Sequence, residues 1–274
     1  MAAQEVRLGV VGSLTVRRGG RLLTATDVGS RKARSLLAVL AVERGRLLPV
    51  EHIVDLLWGD ARSLRPARDT ATLVSRLRSV LGRWTVVGGR AGYRLGDAVR
   101  VDLDEAGALV DDADARLGAG ELAQAVVAAR RASDILDSGG VLDEMPDAEW
   151  AEPARVLHTV LLRRARHTAA EAALRTGDAG GVRSAARVAE AAMRADPYDE
   201  TACRLLMRAF ETMGETGRAV AAYARLRETL ASDLGVDPAA ETRDLHVALL
   251  RGEVIAVGSG VPAGTSRQAG GPTS

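Results

Sequence analysis

Arginine, threonine and serine recur on one side of a helical pattern between Arg65 and Leu81. With Leu77 at the centre of the buried face, and about 100° of rotation per residue, the apolar residues fall within about 60° of it: Leu73, Val74, Val80 and Leu81. A polar set falls within about 40° of the opposite side: Arg68, Thr72, Ser75 and Ser79. Arg76 and Arg78 flank that exposed stripe, so a core face and a contact face are separated.

These side chains have the chemistry that reads a nucleic-acid surface. Arginine can bond a guanine edge bidentately, while serine and threonine can bond bases or phosphates. We therefore predict base contacts from four residues: Arg68, Thr72, Ser75 and Arg76. Taken alone, the same pattern is also that of an ordinary solvated amphipathic helix.

A short basic hairpin follows the helix. Trp84–Val87 and Tyr93–Leu95 flank a turn of Gly88, Gly89, Arg90, Ala91 and Gly92. Arg90 and Arg94 could reach phosphate or a minor groove, which positions a protein without specifying sequence. Tyr93 could contact DNA or pack under the hairpin. The predicted phosphate or wing contacts are Arg31, Lys32, Arg34, Arg78, Ser79, Arg90, Tyr93 and Arg94.

The first three residues of that set open an earlier helix. Ser30 can cap it, and its N-terminal amides could meet a phosphate. A solvated helix start is the alternative interpretation for Arg31, Lys32 and Arg34.

The elements that must position these residues follow in a simple order. Residues 6–28 read as strands, with a turn at Gly19 and Gly20. Three helices follow: Arg31 to about Arg44, Pro49 to Gly59, and the Arg65 segment ending at Gly82. Three helices and a hairpin predict a winged helix-turn-helix, here preceded by an N-terminal sheet.

From Asp102 onward the chain reads as alanine-rich helices. The predicted helices are Asp104–Leu117, Leu122–Leu136, Trp150–Thr176, Val182–Ala195, Glu200–Met213, Thr216–Leu234 and Ala239–Leu249. Helix pairs at roughly 34-residue spacing resemble tetratricopeptide repeats, and an irregular helical bundle is the alternative. Residues 255–274, rich in glycine, serine, proline and threonine, predict a disordered tail.

The charge is divided between the two halves. Residues 1–100 carry 18 Lys/Arg and 8 Asp/Glu, a net +10, and residues 101–274 carry 19 and 28, a net −9. The basic half is a candidate for polyanion binding through phosphate neutralisation. The alternative is that the charged residues are simply unevenly distributed along the chain.

Other classes of function find little support. There is no apolar run of about 18 residues, no secretory signal, and a single cysteine, Cys203, so we expect a cytoplasmic protein. No phosphate-binding loop or H-E-x-x-H motif occurs. Cys203 lies in an apolar helical stripe. We predict no catalytic residues, no metal ligands and no cofactor.

Several segments, taken in order, resemble the Streptomyces antibiotic regulatory protein family. In the first half they are Gly29–Leu40, Asp55–Asp60, Val74–Arg78 and Ala91–Leu95. The second half is similar to the bacterial transcriptional activator domain, through Met145–Trp150, Ala221–Arg227 and Leu234–Pro238. The resemblance covers about residues 6–250.

The resemblance implies a mainly α protein with a small β part. It implies an OmpR-type winged-helix DNA-binding domain at 1–98 and a tetratricopeptide-like activator domain at 99–254. It further implies a cytoplasmic, nucleoid-associated activator of antibiotic biosynthesis promoters, not an enzyme. Such an activator binds direct repeats of double-stranded DNA near the −35 element as a dimer and recruits RNA polymerase holoenzyme through its sigma and other subunits. The alternative function is a protein-interaction scaffold that uses the helical repeat groove, with incidental polyanion binding.

Overall fold

The computed structural model describes residues 5–59 and 65–253. Its internal contacts divide the chain into two compact units, residues 1–172 and 173–274. The division falls inside a long helix, Glu152–Arg175. The domain boundary between residues 98 and 99 stays a prediction.

Six strands form two small sheets in the first unit. They are β1 (Val6–Gly9), β2 (Thr15–Arg18), β3 (Arg21–Leu22), β4 (Val86–Gly89), β5 (Gly92–Leu95) and β6 (Val99–Val101). The first sheet has the order β3-β2-β1-β6, with β1 antiparallel to β2 and parallel to β6. The second is the predicted hairpin of β4 and β5. The strand β6, absent from the sequence prediction, therefore completes the N-terminal sheet.

Four helices connect the two sheets. They are α1 (Ala25–Val28), α2 (Arg31–Val42), α3 (Val50–Trp58) and α4 (Pro66–Leu81). The prediction of strands as far as residue 28 is wrong for α1, which is one helical turn. Thr24 and Asp27 form a reciprocal capping box around it, and such a box satisfies amides that a helix start leaves unpaired.

The core of this unit fixes the rotation of α4. Leu73, Val74, Leu77 and Leu81 are buried and belong to one apolar cluster with α2 and β1. Burying a leucine contributes about 1.5–3 kcal/mol, so turning α4 by one residue would cost several kcal/mol. The polar face predicted from the sequence is therefore held outward.

The β4–β5 hairpin, the wing, is joined to the loop before α3 and to α4. The backbone amides and carbonyls of Leu48 and Tyr93 exchange two hydrogen bonds of 2.9 Å. A Cβ on Gly92 would lie 2.3 Å from the Leu48 carbonyl oxygen, so only glycine permits this approach. From α4, Arg78 donates to the carbonyl oxygens of Val86 (2.8 Å) and Gly88 (3.0 Å).

Three further helices follow in the first unit: α5 (Asp102–Gly118), α6 (Leu122–Leu136) and α7 (Glu152–Arg175), the last preceded by a 3-10 turn at Glu149–Ala151.

Asp102 joins α5 to the sheet. Its carboxylate accepts from the backbone amides of Val10 (2.9 Å), Val11 (3.2 Å) and Leu103 (2.8 Å). Burial raises the pKa of Asp102, and the three amide bonds oppose that rise.

The second unit is helical throughout its described part. It contains α8 (Ala179–Ala195), α9 (Glu200–Thr212), α10 (Thr216–Thr229), a π-helical turn at Leu230–Leu234, and α11 (Ala240–Arg251). Helix α9 packs against α8, α10 and α11. Small side chains lie at these contacts and are buried: Ala185, Ala189, Ala209, Ala219 and Ala222.

The fold class predicted from the sequence is confirmed, with a small β part and a mainly helical chain. The seven helices predicted after residue 101 all occur, with ends shifted by a few residues. The predicted tail at 255–274 lies outside the described residues. No helix in the described ranges is long and apolar enough to cross a membrane.

Replacing Asp102 with asparagine tests the link between sheet and α5. Asparagine places an amide donor where a carboxylate oxygen now accepts from a backbone amide. We expect Asp102→Asn to lower the free energy of unfolding by about 1–3 kcal/mol in urea denaturation. The matched control is Asp104→Asn, which removes an exposed ion pair to Arg44 and should cost at most about 1 kcal/mol. Equal losses in the two variants would contradict the assignment.

Replacing Arg78 with alanine tests the link between α4 and the wing. The two lost hydrogen bonds should speed amide hydrogen exchange in residues 86–95 by about thirtyfold, since each contributes roughly 1 kcal/mol and about 1.4 kcal/mol corresponds to a factor of ten. Arg78→Lys keeps the charge without the planar fork and should behave almost like Arg78→Ala. Arg76→Ala, two residues away and exposed, should leave exchange unchanged. Unaltered exchange in both Arg78 variants would refute the link.

Candidate nucleic-acid interface

The outward face of α4 carries side chains with unused hydrogen-bonding groups. Arg68, Ser75 and Arg76 are exposed. Ser79, one turn further on, is exposed as well. Within the described ranges, none of these four side chains forms a hydrogen bond or an ion pair. Free guanidinium and hydroxyl groups on a fixed helix face are available to a ligand.

Thr72, the remaining predicted base contact, lies on the same face, but its hydroxyl already donates a hydrogen bond within the helix. It is exposed, and its hydroxyl donates to the carbonyl oxygen of Arg68 at 2.9 Å. A hydroxyl also has two acceptor lone pairs. Thr72 in this rotamer can therefore accept a hydrogen bond from a base or offer its methyl group.

Arg78 faces the wing. Besides its two bonds to wing carbonyls, its guanidinium carbon lies 5.8 Å from the centre of the Tyr93 ring. It is half-buried, whereas Arg76 on the other flank is exposed. The structure thus assigns Arg78 an internal partner at the wing, and a phosphate contact by this residue stays a prediction.

The wing offers one free cation at its tip. Arg90 is exposed and forms no hydrogen bond or ion pair with any described residue. Arg94 is held by Asp97, at 2.5 Å from Nη1 to Oδ1, and this contact lowers the pKa of the Asp97 carboxyl. Tyr93 is buried at 7% exposure, consistent with packing under the hairpin.

The basic residues at the start of α2 also differ in whether their side chains are bonded within the protein. Ser30 caps the helix through the amide of Ala33 at 3.3 Å. Arg31 is exposed, with no side-chain partner among the described residues. Lys32 donates to the carbonyl oxygen of Leu57 and lies 5.1 Å from the Trp58 ring centre. Arg34 donates to the carbonyl of Gly29 at 2.8 Å, so Arg31 is the free cation of the three.

Two arginines beside this surface are absent from the set predicted from the sequence. Arg83, between α4 and the wing, is exposed and unpaired within the described part of the chain. Its position directly after the helix-ending Gly82 was the available signal. Arg18 on β2 donates through Nη1 to the carbonyl of Val80. That contact joins residues 62 positions apart, and local pattern gives no sign of it.

Other kinds of site find no support in the described residues. No group of three or more His, Cys, Asp or Glu side chains that could hold a metal occurs there. Cys203 is fully buried beside Met207, and burial raises the pKa of its thiol to about 12. A thiol so rarely ionised is a poor nucleophile.

Comparisons with known proteins identify the relatives of this chain. Residues 101–250 match the family model described as the bacterial transcriptional activator domain. The chain is 32% identical to the regulatory protein AfsR of Streptomyces coelicolor over 250 residues, 90% of this chain and 24% of AfsR. It is 26% identical to the regulatory protein DnrI of Streptomyces peucetius, over 90% of this chain and 93% of DnrI.

A solved structure of Mycobacterium tuberculosis EmbR, in complex with a low-affinity phosphopeptide, superposes with a TM-score of 0.82. The identity is 25%, and the match covers 93% of this chain and 67% of that one. The chain spans about a quarter of the length of AfsR. It belongs to the bacterial transcriptional activator domain family, and within that family to the regulators of the Streptomyces antibiotic regulatory protein type.

Proposed function

We propose that this protein is a sequence-specific DNA-binding transcriptional activator. The observation that carries the proposal is the outward face of α4, where Arg68, Ser75 and Arg76 have donors that no described residue uses, on a helix whose rotation the core fixes. A helix of this kind is what the major groove admits, since the groove accepts an α-helix and displays base-specific donors and acceptors.

Side chains with and without partners inside the protein would have different roles at the DNA. Arg68, Thr72, Ser75 and Arg76 read bases. Phosphates are bound by the exposed groups around them: Arg31, Ser79, Arg83 and Arg90. Arg78 and Arg94 hold the wing through Val86, Gly88 and Asp97, so they act on DNA through the position of Arg90.

The finer part of the proposal concerns the DNA sites and the partner of the helical region. The proposed sites are direct repeats near the −35 element of secondary-metabolite promoters, each bound by one copy of the chain, so that two copies lie side by side. The helical region, within 99–254, then contacts RNA polymerase holoenzyme, and the protein acts in the cytoplasm on nucleoid DNA. Support comes from the regulators AfsR and DnrI, which match along 90% of this chain.

Selection of binding sites from a random-sequence duplex library, followed by gel-shift titration, tests DNA recognition. We expect the selected sites to contain a repeated motif in one orientation. Arg68→Ala and Arg76→Ala should each weaken specific binding by about 1–3 kcal/mol and relax selectivity at one base position. Arg90→Ala should weaken binding to all sequences about equally.

The control is Arg183→Ala, an exposed arginine on α8 that should leave affinity unchanged. Affinity should also fall steeply between about 50 and 200 mM salt, as phosphate contacts require. Recovery of no motif, or full specific binding by the Arg68→Ala, Arg76→Ala double variant, would refute the base-reading assignment.

A further inference from the structure

The second unit contains a groove that the DNA-binding function does not use. It has a volume of about 350 Å³ and lies among α8, α9 and α10. Its apolar lining comes from Met193, Pro197, Leu206 and Leu226. This volume is near the lower end of the roughly 300–1,000 Å³ typical of ligand pockets, which suits one or two apolar side chains.

Two arginines line the same groove without a partner. Arg194 on α8 and Arg225 on α10 are both exposed. Neither side chain forms a hydrogen bond or an ion pair with any described residue. The groove's acidic side chain, Glu190, pairs with Arg218 at 3.4 Å, and Arg218 also pairs with Glu215 at 2.7 Å. With two arginines and one glutamate in its lining, the groove has a net positive charge.

The positive charge here stands out against its surroundings. The described part of this unit, residues 173–253, has 11 Lys/Arg and 13 Asp/Glu, so it is slightly acidic. Even so, Arg183, Arg187 and Arg194 are all exposed on α8. Arg187 and Arg183 precede Arg194 by seven and eleven residues, which places them within about 20° of it around the helix. Glu190 lies about 40° from Arg194 on the same side, so three arginines and one glutamate form a stripe that leads to the groove.

We propose that this groove binds an acidic peptide segment of a partner protein. An apolar side chain of the peptide fills the space between Met193 and Leu226, and carboxylates on either side pair with Arg194 and Arg225. Arginine suits this role because its planar fork matches a carboxylate bidentately. Double-stranded DNA does not fit, since it offers no apolar side chain for the pocket. The inference concerns the second unit alone and does not rest on DNA binding by α4.

Fluorescence polarisation with the full chain tests the proposal. The probes are fluorescein-labelled nine-residue peptides with a central leucine, methionine or phenylalanine flanked by aspartate and glutamate. Matched probes carry asparagine and glutamine instead, or a central serine. We expect binding by members of the acidic–apolar set, at least tenfold weaker binding by both matched sets, and a loss of affinity with added salt.

Variants of the protein complete the test. Arg194→Glu, Arg225→Glu should weaken peptide binding at least tenfold, whereas Arg194→Lys, Arg225→Lys should weaken it less, because lysine keeps the charge and loses only the planar fork. Both positions are exposed, so folding should persist, and thermal unfolding checks this. Arg251→Ala, an exposed arginine of α11 outside the groove, should leave peptide binding unchanged. Gel shifts on the selected DNA should be unaffected by the double charge reversal, which separates this proposal from the DNA-binding one.

Three results would overturn the proposal. The first is equal binding of the acidic and amide probes, or no binding by any acidic probe. The second is unchanged peptide binding by the double charge-reversal variant. The third is occupation of the groove by a second copy of the chain, seen in sedimentation as a dimer that the reversal dissociates and the peptides do not displace.

Discussion

The burial of one side of α4 is the constraint on which the rest of the site depends. Leu77 and Leu81 are fully buried, and Thr70 on the same side is buried as well, its hydroxyl donating to the carbonyl of Pro66. Exposing two leucines would forfeit several kcal/mol, a large part of the 5–15 kcal/mol that stabilises a typical protein. The rotation of the helix, and with it the direction of Arg68 and Arg76, is therefore determined by packing.

The arginines around this helix are of two kinds: some are bonded within the protein, and others face solvent. Arg78 donates to two carbonyl oxygens of the wing and Arg94 donates to the carboxylate of Asp97, whereas Arg76 and Arg90 have no side-chain partner among the described residues. A guanidinium already bonded inside the protein has fewer of its five N–H donors left for DNA, and those bonds restrict where it can reach. Net charge alone, +10 over the first 100 residues, therefore overstates the number of arginines available to a phosphate backbone.

The sequence predicted the features that depend on local pattern. Helical periodicity located α4 and separated its two faces, and the glycines around Arg90 located the wing. The features that were not predicted either pair with residues distant in sequence or are too short to show a periodic pattern. The strand β6 has three residues and pairs with β1 more than 90 positions earlier, and the two hydrogen bonds between Leu48 and Tyr93 join backbone atoms, which give no side-chain pattern to read. The α1 turn had a usable signal in Thr24 and Asp27, whose spacing is that of a capping box.

Photo-crosslinking from α4 tests the central claim most directly. Benzoylphenylalanine replaces Thr72 on the outward face, or Arg183 on α8 as the comparison, and the protein is irradiated on its selected DNA site. The account predicts a crosslink from position 72 to bases within the repeated motif, with none from position 183. A crosslink from position 183 alone, or none at position 72 with affinity retained, would show that this helix face does not enter the DNA groove.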